Sequence, residues 1–458
     1  MENTRKLCGG IPTAVHRIHF IGILGAGMRA LAHLARDLGY AVSGSDSAAP
    51  PTGIDLCGIT VFTTGANMAA LLSADLAVYS LAISEDDREV LLAADHGIPL
   101  VSRADLLGAL MAPYKERIGI AGTHGKSTVT AMCATILDAA GRDPTVAVGA
   151  AFGGRKDGYR AGKCDLFVFE ACEYKYSFLS FAPSVAVLLN AEWDHPDCFT
   201  DHGAILDAFY RYLSLPSVRV AVLPTDDPSA AAIAARLSVP VLTFGTADTA
   251  DFRATDIRSD GAGTTFFLTA LGREIGRVSL AAPGVHNVQN ALAAYAAAYA
   301  VGVSPDPMAL SGFSGIERRI RYRGTYACAA YYDDYAHHPT EIRAGIASLP
   351  RKGRLIAVFQ PHTYSRTAAL FSELCTALRE ADLVIVTDIY AARERNEHGV
   401  SARALAAAIG PRAVYMPTPE TASLAARVRA GEGDTVLVMG AGDLSARFFR
   451  GPLALLPN

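Results

Sequence analysis

The sequence has little of what marks a secreted, zinc-binding or nucleic-acid-binding protein. Its 458 residues include 8 cysteines, but none forms a CxxC pair, so neither a zinc ribbon nor a redox dithiol is encoded. We therefore expect buried thiols in a reducing compartment. Lys and Arg total 41 against 45 Asp and Glu, and a net charge of -4 excludes the basic footprint of a nucleic-acid-binding surface.

Long hydrophobic runs are also missing. The longest apolar stretch, residues 291–303, is shorter than the ~20 residues that a membrane-spanning helix needs. The N-terminus has two early positive charges but no apolar segment after them, which is not the pattern of a signal peptide. We expect a cytoplasmic protein, a monomer or weak homodimer, that binds neither nucleic acid nor membranes.

The sequence does contain enough apolar residues for several cores. Hydrophobic residues make up 51% and charged residues 19%, which excludes a disordered chain. The length predicts about three domains. Short apolar runs alternate with Ala/Leu-rich segments, the pattern of βα units and parallel sheets. The sequence therefore predicts an α/β protein.

The alternation and its interruptions define three predicted domains. Residues 1–115 form a Rossmann-like N-terminal domain. Residues 116–317 form a central domain with a parallel sheet and a small antiparallel meander at 251–280. Residues 318–458 form a Rossmann-like C-terminal domain. Its predicted strands are 329–332, 355–359, 383–387, 413–416 and 435–439.

The strongest motif is GIAGTHGKST at residues 119–128, which joins a predicted strand to a long apolar helix. Such a loop presents backbone N–H groups and the positive end of the helix dipole to phosphate. Lys126 adds a cation and Ser127 a hydroxyl for Mg²⁺, although the strict Walker spacing would need a glycine where Ile120 stands. The predicted phosphate-binding residues are Gly122, Thr123, His124, Gly125, Lys126, Ser127 and Thr128.

An earlier glycine turn, GILGAGM at residues 22–28, is a weaker signal. The dinucleotide pattern GxGxxG fails at Leu24. Asp46 ends the next strand, where an acidic residue would meet a ribose or base edge. Two interpretations stay open, nucleotide or nucleotide-sugar binding and an ordinary tight turn. The candidate ligand-binding residues are Gly22, Gly25, Gly27, Met28, Ser45 and Asp46.

Carboxylates follow two further predicted strands of the central domain. Glu170 and Glu173 follow one strand, and Asp194 and His195 follow the next. The carboxyl ends of parallel strands are where α/β sheets bind ligands, and Mg²⁺ prefers oxygen ligands. We therefore favour a metal-binding role for the acidic residues over a solvated surface charge. For His195 a structural, hydrogen-bonded role is an equal alternative.

Two motifs stand at strand ends of the C-terminal domain. YYDDYAHHPTEI, residues 331–342, also fits a polar strand end followed by a helix starting at Thr340, and its adjacent histidines disfavour a metal site. FQPHTYSRT, residues 359–367, contains Arg366, which suits a carboxylate or a phosphate but is equally compatible with a surface charge.

Taken together and in order along residues 17–445, these motifs resemble the Mur ligases. The motifs that carry the resemblance are GTHGKST, EACE, NAEWDH, PGVHNVQNALAA, GIERR, DDYAHHPTE and FQPHTYSRT. The last two are typical of the members that use L-alanine. The resemblance implies three domains: a Rossmann-like domain that binds a UDP-sugar, a central P-loop ATPase domain at residues 116–317, and a Rossmann-like C-terminal domain that binds the amino acid.

The resemblance also implies a reaction. ATP, with Mg²⁺, converts the carboxylate of UDP-N-acetylmuramate into an acyl phosphate, which the amine of L-alanine attacks in a step of peptidoglycan precursor synthesis. Lys126, Glu173, His195 and Arg366 would be catalytic, and Ser127, Glu173 and His195 would bind metal. The residues implied for ATP are His286, Asn287, Asn290, Arg319 and Asp334, and those for the amino acid are Tyr335, His337, His362 and Arg366.

Other functions remain open at this stage. One is a ligase of the same family with another acceptor, such as a preformed peptide or a different amino acid. Another is a catalytically silent regulator that binds nucleotide sugars, which the intact Lys126, Glu173 and Arg366 argue against. An NAD-dependent dehydrogenase is disfavoured by Leu24.

Overall fold

The computed structural model describes residues 7, 10–48, 56, 58–66, 68–80, 83–84, 86–150, 158–259, 263–313, 315–316, 318–350 and 352–450. These residues divide into two compact units. The first contains the chain up to Ala191, Leu206–Phe252 and Ala291–Ala309, and the second contains Glu192–Ile205, Arg253–Asn290 and the chain from Leu310 onward. Each unit is described by itself.

The N-terminal part of the first unit is a five-stranded parallel sheet in the order β3-β2-β1-β4-β5. Its elements are β1 (Arg17–Ile21), α1 (Ala26–Asp37), β2 (Ala41–Asp46), β3 (Thr60–Thr63), α2 (Met68–Leu72), β4 (Leu76–Tyr79), α3 (Arg88–Asp95), β5 (Leu100–Ser102) and α4 (Arg103–Met111). The order reverses between β1 and β4, so the glycine turn after β1 lies at the point where such sheets bind ligands.

The remainder of the first unit carries a second sheet. Its strands run in the order β12-β11-β10-β6-β9-β7-β8, all parallel except β8. The elements are β6 (Glu116–Ala121), α5 (Lys126–Ala139), β7 (Thr145–Ala147), β8 (Tyr159–Arg160), β9 (Leu166–Glu170), a 3-10 helix (Tyr174–Ser180), β10 (Val185–Leu188), α6 (His202–Leu213), β11 (Val220–Pro224), α7 (Pro228–Ala234) and β12 (Val241–Gly245). The loop after β6 thus lies between the loops after β9 and β10.

The second unit contains the predicted meander and a third sheet. The meander is β13 (Phe252–Ser259), β14 (Thr264–Ala270) and β15 (Arg273–Leu280). The helix α8 (Val285–Ala300) follows it, and its residues from Ala291 onward belong to the first unit. The third sheet has the order β16-β17-β21-β18-β19-β20 and is parallel except for β16. Its elements are β16 (Arg321–Tyr326), β17 (Ala329–Asp334), α9 (Pro339–Ser348), β18 (Leu355–Phe359), α10 (Tyr364–Ala369), α11 (Phe371–Leu378), β19 (Leu383–Val386), α12 (Ala402–Ile409), β20 (Ala413–Tyr415), α13 (Pro419–Arg429), β21 (Thr435–Met439) and α14 (Leu444–Phe448).

The third sheet explains why its strands are apolar without alternation. In β18, Leu355, Ala357 and Phe359 pack in one buried cluster, while Ile356 and Val358 pack in another on the opposite face. A strand covered on both faces has no solvent side, so every position favours an apolar residue.

The structure also corrects one sequence interpretation. Cys133 and Cys375 are buried free thiols as expected, whereas Cys328 is exposed; three further cysteines are only partly buried, namely Cys164, Cys172 and Cys198. A cysteine is usually buried, yet Cys328 lies in the turn between β16 and β17, where the chain faces solvent. In the described part of the chain, no helix has the length and apolar character of a membrane span.

Candidate active site

The loop between β6 and α5 has the shape of a phosphate-binding loop. Gly122 and Gly125 both have positive φ, 141° and 83°, which residues with a side chain rarely adopt. A Cβ at Gly122 would also lie 3.0 Å from the Cβ of Leu189. Ser127 and Thr128 lie in the first turn of α5, where backbone N–H groups have no intrahelical acceptor.

Lys126 lies across this loop and pairs with a buried carboxylate. Its Nζ donates to the carbonyl oxygens of Gly122 at 2.5 Å and Thr123 at 3.1 Å, and lies 3.0 Å and 2.9 Å from the two oxygens of Glu173. Burial by itself would lower the pKa of Lys126, but the attraction of Glu173 outweighs it and raises that pKa. Lys126 is therefore charged and close to where phosphate would bind.

Asn190, which follows β10, contacts this loop, and the sequence did not single it out. Its Oδ1 accepts from the His124 N–H at 2.8 Å, and its Nδ2 donates to the His124 carbonyl at 3.2 Å. The side-chain amide of Asn190 therefore binds both the backbone N–H and the backbone carbonyl of His124. An Asn directly after an apolar strand, beside a glycine-rich loop, was the available signal.

The oxygen donors near Lys126 suit Mg²⁺, which prefers carboxylate and hydroxyl oxygens. Glu173 is almost fully buried, so a cation there would be shielded from water. By contrast, Glu170 accepts a hydrogen bond from the Gly149 N–H at 2.7 Å. Of the predicted metal ligands, Ser127 and Glu173 belong to the first unit, whereas His195 belongs to the second.

The first glycine turn is held by Asp46. Its Oδ2 accepts from the Leu24 N–H at 2.9 Å and its Oδ1 from the Ala48 N–H at 3.1 Å. The residue that breaks the GxGxxG pattern thus contributes its backbone to a carboxylate, so Asp46 has a structural role in the turn. Met28 is buried in the core, which leaves only its backbone at the start of α1 for a ligand.

The neighbouring Ser45 leads to a buried acid that the sequence did not reveal. Its hydroxyl donates to Glu89, whose other oxygen accepts from the Gly65 N–H at 3.0 Å. This network links the ends of β2 and β3. Gly22 and Gly25 lie in the turn that precedes α1, and Gly27 lies in the first turn of α1.

In the second unit, the residues implied for ATP form a charged group. Arg319 donates to Glu341 at 3.2 Å, and Glu341 and Asp334 raise the pKa of Arg319 against the effect of its burial. Burial raises the pKa of Asp334 to about 7, with Arg319 acting in the opposite direction. Burial, together with Arg319, lowers the pKa of His286 to about 4.

The two asparagines at the start of α8 are joined to each other. Asn287 Nδ2 donates to the Pro283 carbonyl at 2.7 Å, and Asn290 Nδ2 donates to Asn287 Oδ1 at 3.2 Å. An amide can both donate to and accept from a base edge.

The second cluster of this unit surrounds Arg366. The ring of His337 lies 5.5 Å from that of Tyr335 and 5.8 Å from that of His362. Arg366 NH1 donates to Nδ1 of His362 at 3.0 Å. The structure therefore brings together Tyr335, His337, His362 and Arg366, which were chosen from two separate motifs.

The histidines of this cluster are neutral. Burial lowers the pKa of His337 to about 3 and that of His362 to about 4. Since Arg366 is always a donor, Nδ1 of His362 acts as an acceptor and its proton is on Nε2. The sequence interpretation that Thr340 and Glu341 start a helix is confirmed by α9, which His338 caps.

Comparisons with known proteins give a consistent result. The family model described as "Mur ligase family, catalytic domain" matches residues 17–115, "Mur ligase middle domain" matches 120–298, and "Mur ligase, glutamate ligase domain" matches 318–442. A curated UDP-N-acetylmuramate–L-alanine ligase of Caldanaerobacter subterraneus is 39% identical over 93% of this chain and 95% of its own length.

Solved structures agree with the sequence relatives. A UDP-N-acetylmuramate-alanine ligase of Thermotoga maritima has a TM-score of 0.76 at 25% identity, over 94% of this chain and 97% of its own. A murein peptide ligase of Psychrobacter arcticus has a TM-score of 0.71 at 26% identity, over the same fractions, 94% and 97%.

Proposed function

This chain belongs to the Mur ligase family, and we propose that it joins L-alanine to the carboxylate of UDP-N-acetylmuramate with cleavage of ATP to ADP and phosphate. Its three-domain α/β fold contains sheets whose carboxyl edges would each bind one substrate. The observation that carries the proposal is the Lys126–Glu173 pair in a phosphate loop, within a chain that matches L-alanine ligases over nearly its whole length.

The chemistry of phosphoryl transfer suits this loop. Transfer of the γ-phosphate to a carboxylate requires little covalent help and much neutralisation of charge. Lys126 supplies a fixed cation, and the N–H groups of Ser127 and Thr128 at the start of α5 supply aligned donors. Glu173 and the Ser127 hydroxyl would hold Mg²⁺, which neutralises phosphate charge when bound.

The remaining site residues fit the other substrates. The turn at Gly22–Gly27 and Asp46 would bind the UDP moiety, while His286, Asn287, Asn290, Arg319 and Asp334 would bind ATP. Tyr335, His337, His362 and Arg366 would bind the amino acid, with His195 nearby. The neutral imidazoles of His337 and His362 place no charge that would repel the incoming amine.

The domain boundaries near 115 and 317, the cytoplasmic location and the monomer or weak homodimer stay predictions. A cytoplasmic location is consistent with substrates that are a UDP-sugar and ATP. Size-exclusion chromatography with light scattering measures the oligomeric state.

A coupled assay of ADP release tests the function. We expect release only when UDP-N-acetylmuramate and an amino acid are both present, with L-alanine preferred over glycine and L-serine. Lys126→Ala should abolish turnover, because it removes the cation of the loop. Clear preference for glycine or serine would contradict the L-alanine assignment.

Similarity to the murein peptide ligase supports a second candidate, a ligase that attaches a preformed peptide. The same assay separates the two, since turnover with a tripeptide but not with free L-alanine would favour the peptide ligase.

A further inference from the structure

One of the two edges by which the guanidinium of Arg366 can bind a carboxylate bidentately, the edge formed by Nε and NH2, is occupied by another residue. Nε donates to Oδ1 of Asp194 at 2.6 Å and NH2 donates to Oδ2 at 3.1 Å. Both side chains are buried, at 5% and 3% exposure. A pair of parallel N–H bonds to one carboxylate is the strongest and most directional contact that an arginine makes.

The other donors of Arg366 are largely used as well. NH1 donates to Nδ1 of His362 at 3.0 Å, and NH2 lies 3.4 Å from Nδ1 of His195. A guanidinium has five N–H groups. Four of them have these partners among the described residues, so one N–H, on NH1, is left for a ligand.

We propose that Asp194 is a positioning residue, which fixes Arg366 so that it offers the carboxylate of the amino acid a single NH1 donor rather than a bidentate fork. This inference rests on the proposed function. For a substrate carboxylate to take the Nε–NH2 edge, Arg366 would have to leave Asp194, and a buried carboxylate would then be left without its cation. To take the NH1–NH2 edge, it would have to displace His195 from NH2.

The surroundings of Asp194 support a fixed position. The Asp194 carboxylate also accepts from the His195 N–H at 2.7 Å. Glu192 accepts from the Thr340 hydroxyl at 2.5 Å, which attaches the same segment to the start of α9. The two bonds from the Arg366 guanidinium and the bond from the His195 N–H together hold the carboxylate of Asp194 in place.

The consequence for recognition is specific. A single charge-assisted hydrogen bond tolerates a small rotation of the amino acid, whereas a fork would fix the carboxylate plane. The neutral ring of His362 beside NH1 then becomes the second determinant of where the carboxylate lies.

The kinetic test is Asp194→Asn, which keeps the shape and removes the charge. Without its anchor, Arg366 loses its fixed position, so we expect KM for L-alanine to rise ~10- to 100-fold while KM for ATP stays within about twofold. In the double variant Asp194→Asn/Arg366→Lys, KM for L-alanine should rise by less than the product of the two single increases. The reason is that each substitution disrupts the same Asp194–Arg366 pair.

The matched control is Asp434→Asn. Asp434 is another nearly buried carboxylate of the second unit that binds an arginine, Arg354, at 2.7 Å, but it lies outside the proposed site. The Asp434→Asn substitution should lower the melting temperature without changing KM for L-alanine. An unchanged KM in Asp194→Asn, or an equal rise in Asp434→Asn, would overturn the positioning role.

A crystal structure with bound L-alanine tests the single donor directly, and it remains decisive if Asp194→Asn does not fold. We expect Nε and NH2 to stay on Asp194 with NH1 on the amino acid, and a guanidinium turned to clamp the carboxylate would refute the inference. If the wild-type protein shows no L-alanine-dependent ADP release, the proposed function fails. If the wild-type protein does release ADP in response to L-alanine, but KM for L-alanine is unchanged in Asp194→Asn, only this inference fails.

Discussion

The contribution of the Lys126–Glu173 ion pair to stability can be predicted and tested without substrates. Lys126→Met removes the cation and leaves Glu173, whose side chain is 1% exposed, as a buried charge without its cation. Removing one partner of a buried ion pair costs about 3–5 kcal/mol. At roughly 2–4 °C per kcal/mol for a domain of this size, the melting temperature of the first unit should fall by roughly 10 °C.

A second substitution isolates the part of this cost that comes from charge. In Lys126→Met/Glu173→Met both charges are gone, and replacing a buried pair by apolar side chains is often neutral. The lost bonds to the carbonyls of Gly122 and Thr123 are common to the single and double variants. The double variant should therefore recover most of the lost stability, although it should be inactive.

The pH dependence of the stability lost in Lys126→Met tests the same explanation independently. Without Lys126, burial raises the pKa of Glu173, so the folded state binds a proton more tightly than the unfolded state. The deficit of Lys126→Met should then shrink as the pH falls, which thermal melting followed by circular dichroism measures. As a control, Arg236→Met breaks the exposed pair with Asp207 and should cost less than about 1 kcal/mol. A double variant no more stable than Lys126→Met would refute the reasoning.

Two further predictions concern buried positions. Burial raises the pKa of Asp334 to about 7, so the free energy of unfolding of the wild type falls as the pH rises towards 7. The free energy of unfolding of Asp334→Asn, relative to the wild type, should therefore increase by more than about 1 kcal/mol between pH 5 and pH 8. Equal melting differences at both pH values would contradict this. A Cβ at Gly119 would lie 2.2 Å from the Tyr212 hydroxyl, so Gly119→Ala should cost about 1–3 kcal/mol in urea unfolding, whereas Gly312→Ala, with no atom within 4 Å, should not.

Much of the fold follows from the sequence because apolar strands and glycine turns are local signals. The strand at 355–359 is confirmed residue for residue by β18, since both of its faces are buried. The meander at 251–280 is confirmed by β13 to β15. The short strand β3 was missed, because four half-exposed residues carry no strong pattern.

The candidate site was predictable where a motif is contiguous. Residues 122–128 form one loop and one helix start, so their neighbours in sequence are also their neighbours in space. The partners of that loop are different, because Asn190 and Glu173 reach it only through the order of strands in the sheet.

The sequence by itself therefore determined the α/β class, the glycine-rich loop at residues 122–128 and the residue types that surround Arg366. Only the tertiary structure decided what each charged group pairs with. Arg366 was compatible with a ligand, a phosphate or a surface position until Asp194, 172 positions away, was found on its bidentate edge. The physical reason is that the energy of a buried charge depends on its nearest partner, and that partner is chosen by strand order and packing rather than by spacing along the chain.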